Sequence, residues 1–199
     1  MYRFKKGLIL IINNEQDVIR IVQEDAWMMD VLRIAQTLRL PDWWVCAGFV
    51  RSKIWDVLHG YSEATPLPDV DVVYFDPDCT DEAVEKELEK KLFAINPHIP
   101  WSVKNEARMH LINHMRPFTS SVDAIAHFTE TATALGLTMN EDQQIILTAP
   151  HGIQDAVDMV VKPTPYYLQS PDRAQIYEGR VSKKNWSQVW PKLTIVHIQ

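Results

Sequence analysis

The stretch from Trp43 to Asp76 constrains the fold of this chain more than any other part of the sequence. A short apolar segment over 43–47 reaches Gly48, and a helical pattern then runs to His59. After a loop with two prolines, a second apolar segment over 69–75 begins with two acids. The pattern predicts a strand, a glycine turn, a helix and a second strand.

Asp69 and Asp71 are the chemical centre of this stretch. Side chains alternate between the two faces of a strand, so both carboxylates are expected on one face, about 6.6 Å apart along the strand. Two carboxylates at this spacing repel each other unless water or a cation lies between them. Mg²⁺ is the expected cation, because it prefers carboxylate oxygens and keeps positions for water or phosphate. The sequence therefore predicts a site for a metal-bound triphosphate between the acids and the glycine turn.

Length and charge limit the class of protein. The chain has 199 residues, of which 46% are hydrophobic, and its formal net charge is -6. We expect a single domain over 1–199, with a helical N-terminal segment over 1–40 and an irregular C-terminal tail over 166–199. An acidic chain lacks the basic face that is typical of nucleic-acid-binding proteins, so we expect no strong nucleic-acid signature. Nucleotides remain possible ligands, because a bound Mg²⁺ offsets an acidic pocket.

The apolar runs and the cysteines favour a cytoplasmic protein that does not enter a membrane. The longest purely aliphatic run, Leu8 to Ile12, is too short to span a bilayer, and no export leader precedes it. Cys46 and Cys79 are far apart and do not form a CxxC pair, so we expect two reduced thiols.

Predicted helices and strands alternate along the chain, which indicates an α/β fold. Besides the elements above, we predict helices over 17–38 (interrupted or bent near Ala26 and Trp27), 80–93, 122–128 and 152–161, and strands over 101–104, 134–139 and 144–148. The glutamates and lysines of the helix over 80–93 are expected to form a solvated face.

An ordered set of motifs extends over most of the chain. The motifs are AGFVR at 47–51, IWD at 54–56, LHGY at 58–61, PLPDVDVVYFD at 66–76, WxVKNxARMH at 101–110, APxG at 149–152 and WxxxWPKL at 186–193. Together they resemble a bacterial branch of the DNA polymerase β-like nucleotidyltransferase superfamily.

The resemblance implies a nucleotidyltransferase fold of the α/β (α+β) class, with a mixed sheet flanked by helices. Members of the superfamily transfer a nucleoside monophosphate from an NTP to an acceptor and release pyrophosphate. Carried over to this sequence, Asp69 and Asp71 are the catalytic acids and the ligands of Mg²⁺ (or Mn²⁺), and Gly48 belongs to the phosphate-binding turn. Arg51, one turn into the helix, would add a charge-assisted contact to phosphate.

Departures from the superfamily pattern leave the catalytic activity open. Phe49 follows Gly48 where Gly or Ser is usual, and the separation between Gly48 and Asp69 is longer than in compact members. The third carboxylate expected on a neighbouring strand has no clear match, because Asn105 ends that strand and Glu106 is only adjacent. Two hypotheses follow. The chain is a nucleotidyltransferase with an unknown acceptor (a small molecule, a protein or an RNA end), or it is a catalytically weak or inactive nucleotide-binding module.

Four polar residues follow the tryptophan-bearing strand at 101–104. They are Lys104, Asn105, Arg108 and His110. They could line a wall of the nucleotide or acceptor cleft, or they could form buried hydrogen bonds that fix the strand to the next helix. The sequence leaves both interpretations open.

Overall fold

A computed structural model describes residues 12–198 of the chain, so most of the aliphatic run from Leu8 to Ile12 lies outside the described residues. In the described part, none of the helices has both the length and the apolar character needed to cross a membrane. The helices are α1 (Glu15–Gln23), α2 (Ala26–Gln36), α3 (Gly48–His59), α4 (Glu82–Ile95), α5 (Glu106–Ile112), α6 (Ser121–Ile125), α7 (Gln154–Val157), α8 (Pro171–Lys183) and α9 (Trp186–Val189). The strands are β1 (Trp44–Cys46), β2 (Val70–Tyr74), β3 (Trp101–Asn105), β4 (Gly136–Met139), β5 (Ile145–Thr148), β6 (Val160–Val161) and β7 (Thr194–Ile195).

The centre of the fold is a mixed five-stranded sheet with the strand order β3-β2-β1-β4-β5. β2 and β3 are parallel, and the other neighbouring strands of this sheet are antiparallel. One face, with Val45, Val72 and Val103 side by side, packs into the main hydrophobic core. The opposite face carries a smaller cluster with Cys46 and Val73. The α/β fold class is confirmed, and the second face is partly left for polar side chains.

The interruption or bend expected near Ala26 and Trp27 in the helix over 17–38 is present at Asp25, and the segment forms two helices, α1 and α2. One carboxylate oxygen of Asp25 accepts the backbone N–H groups of Trp27 and Met28, both at 3.1 Å, and so begins α2. The other oxygen accepts a hydrogen bond from Lys53 Nζ on α3 at 2.7 Å. This buried ion pair fixes the start of α2 against α3.

The expectation of a solvated charged face on α4 is wrong for Glu85. β3 is an edge strand, and two of its outward N–H groups, those of Val103 and Asn105, donate to Glu89 and Glu85 at 3.1 Å each. Arg108 donates to both oxygens of Glu85, at 2.9 and 2.8 Å, and Glu85 is 0% exposed. Carboxylates of α4 therefore close the open edge of the sheet, which a pattern of alternating charges does not reveal.

The C-terminal segment is regular, in contrast to the irregular tail expected over 166–199. Ser170 caps α8, and Pro171 occupies its first turn, which are ordinary signals for the start of a helix. The buried Tyr177 on α8 donates its hydroxyl to the carbonyl oxygens of Val161 (3.1 Å) and Val196 (2.6 Å). The helix expected over 152–161 shortens to α7, because the chain continues into β6. The last elements therefore pack onto the fold rather than trail from it.

We predict that Glu85→Ala lowers the free energy of unfolding by about 3–5 kcal/mol, because it leaves the mostly buried guanidinium of Arg108 with only a 3.8 Å contact to the exposed Glu82. Urea unfolding measures the change. The matched control is Glu87→Ala on the same helix, which removes an exposed pair with Lys90 and should cost less than about 0.5 kcal/mol. Equal losses in the two variants would contradict the assignment.

Candidate active site

The two acids lie at the start of β2, on the sheet face opposite the main core. Asp69 is exposed and immediately precedes β2, whereas Asp71 is half-buried inside the strand. The neighbours of Asp71 in the sheet are Cys46 in β1 and Ser102 in β3. The antiparallel register between Cys46 and Asp71 also brings the end of β1, and with it Gly48, beside the acids.

Negative charge accumulates at this position. Burial, followed by the charge of Asp69, raises the pKa of Asp71 to about 6, against the lowering effects of a hydrogen bond with Ser102 and of the positive charges of Arg180 and Lys104. Burial and the same two aspartates also raise the pKa of the Cys46 thiol. A half-buried carboxylate with a second one beside it is a hard-oxygen donor set, which fits Mg²⁺ or Mn²⁺.

The pair alone fits a metal ion that keeps several ligands from solvent or substrate. Within residues 12–198, no group of three or more His, Cys, Asp and Glu side chains is placed to hold a metal ion. Mg²⁺ in nucleotide sites is commonly bound by one or two carboxylates together with substrate phosphates. Asp69 and Asp71 therefore fit the role expected for them, with phosphate oxygens completing the coordination.

The turn between β1 and α3 has an unusual backbone. Ala47 has φ 58 and ψ -118, a conformation that side-chain-bearing residues rarely adopt. Its carbonyl oxygen accepts the N–H groups of Val50 and Arg51, at 3.2 and 3.1 Å. The N–H groups of Gly48 and Phe49 have no hydrogen-bond partner among the described residues. Two backbone donors therefore remain available at the start of α3.

Arg51 lies directly beside this turn. A Cβ atom added at Gly48 would lie 3.6 Å from Nη2 of Arg51. The guanidinium stacks between the rings of Trp55 (4.9 Å) and Trp186 (4.7 Å), and its Nη1 donates to the Thr133 hydroxyl at 3.1 Å.

The positive charge of Arg51 is not matched by an ion pair. Its Nε is buried without a hydrogen-bond partner, and no carboxylate of residues 12–198 forms a salt bridge with it. Burial lowers the pKa of Arg51 to about 10, an effect opposed by Glu130, so the side chain stays charged at neutral pH. A buried cation without a counter-ion is costly, and a phosphate group would supply the missing charge.

Two charged residues near Arg51, Glu130 and Arg180, were not predicted from the sequence. Arg180 on α8 donates from Nε to Glu130 at 2.7 Å, and Glu130 is 0% exposed. Glu130 lies in the loop before β4, far from Arg180 in the sequence. The buried positions Tyr177 and Val181 on either side of Arg180 are the one local signal that α8 packs against the fold.

The four polar residues, of which Lys104 and Asn105 lie in β3 and Arg108 and His110 in α5, divide into two groups. Lys104 lies 3.5 Å from Glu85, and its charge also opposes the burial-induced increase in the pKa of Asp71. Lys104 is therefore the member of the group that acts on the acidic pair. His110 is half-buried on α5, and its Nδ1 has no partner among the described residues.

Asn105 and Arg108 take part in contacts that fix the strand. Asn105 accepts the N–H groups of Asp76 and Ala107, and it donates to the carbonyl oxygens of Asp76 and Cys79. It therefore holds the loop after β2 and caps α5. Arg108 is engaged by Glu85. The site proposed below includes neither residue.

Glu106 is not on the strand where a third acid is expected, but it begins α5 at the end of that strand. It directly follows β3, the strand parallel to β2, and is 6% exposed. Burial raises the pKa of Glu106 to about 8, and the charge of Asp71 is the next cause. Glu106 is thus a carboxyl group in electrostatic contact with the acidic pair, separate from Asn105.

Comparisons with known proteins point to one family. A family model described as nucleotidyltransferase matches residues 33–195 of the chain. An NMR structure described as revealing a CCA-adding enzyme head domain has 36% sequence identity and a TM-score of 0.84. That match covers 96% of this chain and 100% of the other. None of the curated protein sequences matches the chain.

Larger proteins share the fold at low sequence identity. The Thermotoga maritima CCA-adding enzyme in complex with tRNA has a TM-score of 0.54 and 15% identity, and the match covers 90% of this chain and 42% of that one. A CCA-adding enzyme in complex with ATP has a TM-score of 0.51 and 14% identity, with 90% and 43% covered. The chain therefore spans less than half the length of these enzymes, and at such identity the likeness concerns the fold alone.

The raised pKa of Asp71 predicts how stability depends on pH. A carboxyl group whose pKa increases from 3.8 to about 6 on folding binds its proton more tightly in the folded state. Stability therefore falls as the pH rises between these values, and the full penalty is present above pH 6. We expect Asp71→Asn to raise the free energy of unfolding by about 1–3 kcal/mol at about pH 7.5 and to change it little near pH 4.

Thermal or urea unfolding at the two pH values measures this effect. Mg²⁺ should stabilise the native sequence above pH 6 but not Asp71→Asn, because the ion binds the folded acidic pair. A loss of stability in Asp71→Asn at pH 7.5 would contradict the prediction, because it would show that the charge of Asp71 is already compensated in the folded protein.

Proposed function

The chain belongs to the nucleotidyltransferase family, and we propose that it transfers a nucleoside monophosphate from an NTP to an acceptor in a Mg²⁺-dependent reaction that releases pyrophosphate. The observation that carries this proposal is the juxtaposition of Asp69 and Asp71 with the turn at Gly48. Carboxylates for a metal ion and free backbone donors for phosphate lie on the same side of the central sheet.

The residues of the turn would bind the triphosphate. The N–H groups of Gly48 and Phe49 would donate to phosphate oxygens, and the absence of a side chain at Gly48 lets the phosphate approach the backbone. Arg51, which forms no salt bridge within residues 12–198, would supply positive charge to the phosphates. A divalent ion held by Asp69 and Asp71 would neutralise charge on the triphosphate and on the leaving pyrophosphate.

Glu106 is our candidate for the acceptor side of the reaction. Its pKa of about 8 is close to a physiological operating pH, which suits a general base. The acceptor oxygen would form a bond to the α-phosphorus while the bond from that phosphorus to pyrophosphate breaks. The proton of the acceptor hydroxyl would pass to the Glu106 carboxylate.

The acceptor is the open part of the proposal. The Thermotoga maritima relative is described in complex with tRNA, so an RNA end is one class to test, beside small molecules and proteins. The net charge of -6 weighs against an extended RNA-binding surface. The free thiols of Cys46 and Cys79 support a reducing, cytoplasmic setting.

A nucleotide-binding module without transfer activity is the second candidate. It is favoured by Phe49 in the phosphate-binding turn, whose side chain is buried in the core and offers no hydroxyl group. The two candidates differ in pyrophosphate release, because a binding module holds the NTP without turnover.

We predict Mg²⁺-dependent pyrophosphate release and transfer of label from an α-labelled NTP when the protein is incubated with a cell extract. Asp69→Ala combined with Asp71→Ala should lower the rate on the order of 100-fold or more, because the charge on the triphosphate is no longer neutralised. The matched control is Asp142→Ala, which removes an exposed acid from the loop between β4 and β5. Mg²⁺-dependent NTP binding without any turnover would select the binding module, and turnover that survives the double substitution would refute the proposed site.

We predict that Glu106→Gln lowers kcat by roughly 100-fold or more and leaves the affinity for the NTP within about twofold, because the base acts on the acceptor. The decrease in kcat at acidic pH, which protonation of Glu106 would cause in the native sequence, should also disappear in this variant. A rise in KM for the NTP at unchanged kcat would instead place Glu106 in nucleotide binding.

A further inference from the structure

We propose that Arg180 is a phosphate-binding residue of this site, held in position by Glu130, and that it binds the triphosphate of the nucleotide and the pyrophosphate that leaves. This inference rests on the proposed function, because it names the part of the substrate that α8 recognises. Neither residue belongs to the acidic strand or to the glycine turn.

Glu130 is a fixed anchor. It is 0% exposed, and its carbonyl oxygen accepts the N–H groups of Thr133 and Ala134, both at 3.0 Å. An isolated β-bridge with Pro163 fixes the backbone further. Its side-chain Oε1 accepts from Arg180, whereas Oε2 is buried without a partner among the described residues. A carboxylate in this position needs a cation nearby, and Arg180 is the residue that pairs with it.

Arg180 keeps most of its hydrogen-bonding capacity unused. Its Nε is engaged by Glu130, but the hydrogens on Nη1 and Nη2 have no acceptor within residues 12–198. The side chain is 38% exposed, so this end of the guanidinium reaches solvent. A guanidinium that is held at Nε, with Nη1 and Nη2 available, is suited to bidentate binding of phosphate oxygens.

The position of Arg180 connects it to the proposed triphosphate site. The Trp186 ring lies 4.7 Å from the guanidinium carbon of Arg51 and 5.9 Å from that of Arg180. The charge of Arg180 also acts on Asp71, where it opposes the increase in pKa caused by burial. Glu130 forms an ion pair with Arg180 and acts on Arg51 only through its charge, so two arginines near one buried carboxylate leave net positive charge close to the acidic pair.

This distribution of charge suits a bound polyphosphate. A metal ion on Asp69 and Asp71 would meet one side of the phosphate chain, and Arg51 and Arg180 would meet the other. The guanidinium groups come from α3 and α8, so the C-terminal segment would complete a site that begins at β2. A purely structural Arg180 would only neutralise Glu130, and its loss would change stability without changing polyphosphate affinity.

The test is a calorimetric titration of the full chain with inorganic tripolyphosphate in metal-free buffer containing EDTA at low salt. Arg180→Gln should weaken binding by about 10- to 100-fold, the range expected for a lost charge-assisted hydrogen-bonding group. The affinity of Arg180→Lys for tripolyphosphate should lie between those of the native sequence and Arg180→Gln. Lysine keeps the positive charge but lacks the planar pair of terminal NH₂ groups. The matched control, Lys183→Gln, removes an exposed positive charge from the same helix and should change affinity by less than about twofold.

Glu130 is tested as a positioning residue. Glu130→Ala should weaken tripolyphosphate binding about as much as Arg180→Lys, and Glu130→Gln should restore most of the affinity, because the amide oxygen still accepts from Nε. Thermal melting of each variant separates loss of fold from loss of binding.

Three results would overturn the inference: no binding of tripolyphosphate by the native sequence, equal affinity in Arg180→Gln, or an equal loss in Lys183→Gln. The metal-free design separates this inference from the proposed function. Asp69→Asn with Asp71→Asn should bind tripolyphosphate at least as tightly as the native sequence, because two repelling charges are removed. A protein that shows this pattern but no turnover with Mg²⁺ would support the arginine site and refute the transferase.

Discussion

The repulsion between Asp69 and Asp71 is the constraint on which the rest of the site depends. The sheet holds Asp71 half-buried between β1 and β3, and the charge of Asp69 adds to the effect of burial on its pKa. The apolar face of the same strand packs into the main core, so Asp71 cannot turn away without breaking the register of β2. The fold thus holds two repelling carboxylates close together, and a bound divalent cation would reduce this repulsion.

The positive charges of the site come from distant parts of the chain and are held by packing. Arg51 is confined by Trp55 and Trp186, and Arg180 is anchored by Glu130. Such positions reduce the entropy that a long side chain loses when it binds phosphate. The strained backbone at Ala47 has the same effect on the N–H groups that begin α3, which are oriented before any ligand arrives.

The sequence predicted the central features because they are local. A glycine between a strand and a helix, and a strand that begins with two acids, are recognisable within a short stretch, and the family resemblance extended the prediction to the α/β fold. The charged pattern of α4 led to the wrong prediction of a fully solvated face. Carboxylates that bind the edge strand β3 cannot be distinguished in sequence from carboxylates that face water. Burial of Glu85 depends on a tertiary contact with Arg108 that periodicity does not encode.

The contribution of the C-terminal segment was not predictable for the same reason. The start signals of α8 at Ser170 and Pro171 are visible in the sequence, but its few apolar positions made the segment look irregular. The pairing of Glu130 with Arg180 joins a loop and a helix that are remote in sequence, and neither residue belongs to a recognisable motif. Glu106 was noticed only as the neighbour of Asn105, since its contact with Asp71 depends on the parallel pairing of β2 and β3.

Paramagnetic broadening by Mn²⁺ in the NMR spectrum of the ¹⁵N-labelled protein tests the central claim most directly, because it locates the ion without requiring a known acceptor. We predict that substoichiometric Mn²⁺ broadens the amide signals around Cys46, Gly48 and Asp71, and that Asp69→Asn with Asp71→Asn abolishes this broadening. Broadening centred on the acidic residues of α4, or broadening around Gly48 that survives the double substitution, would contradict it.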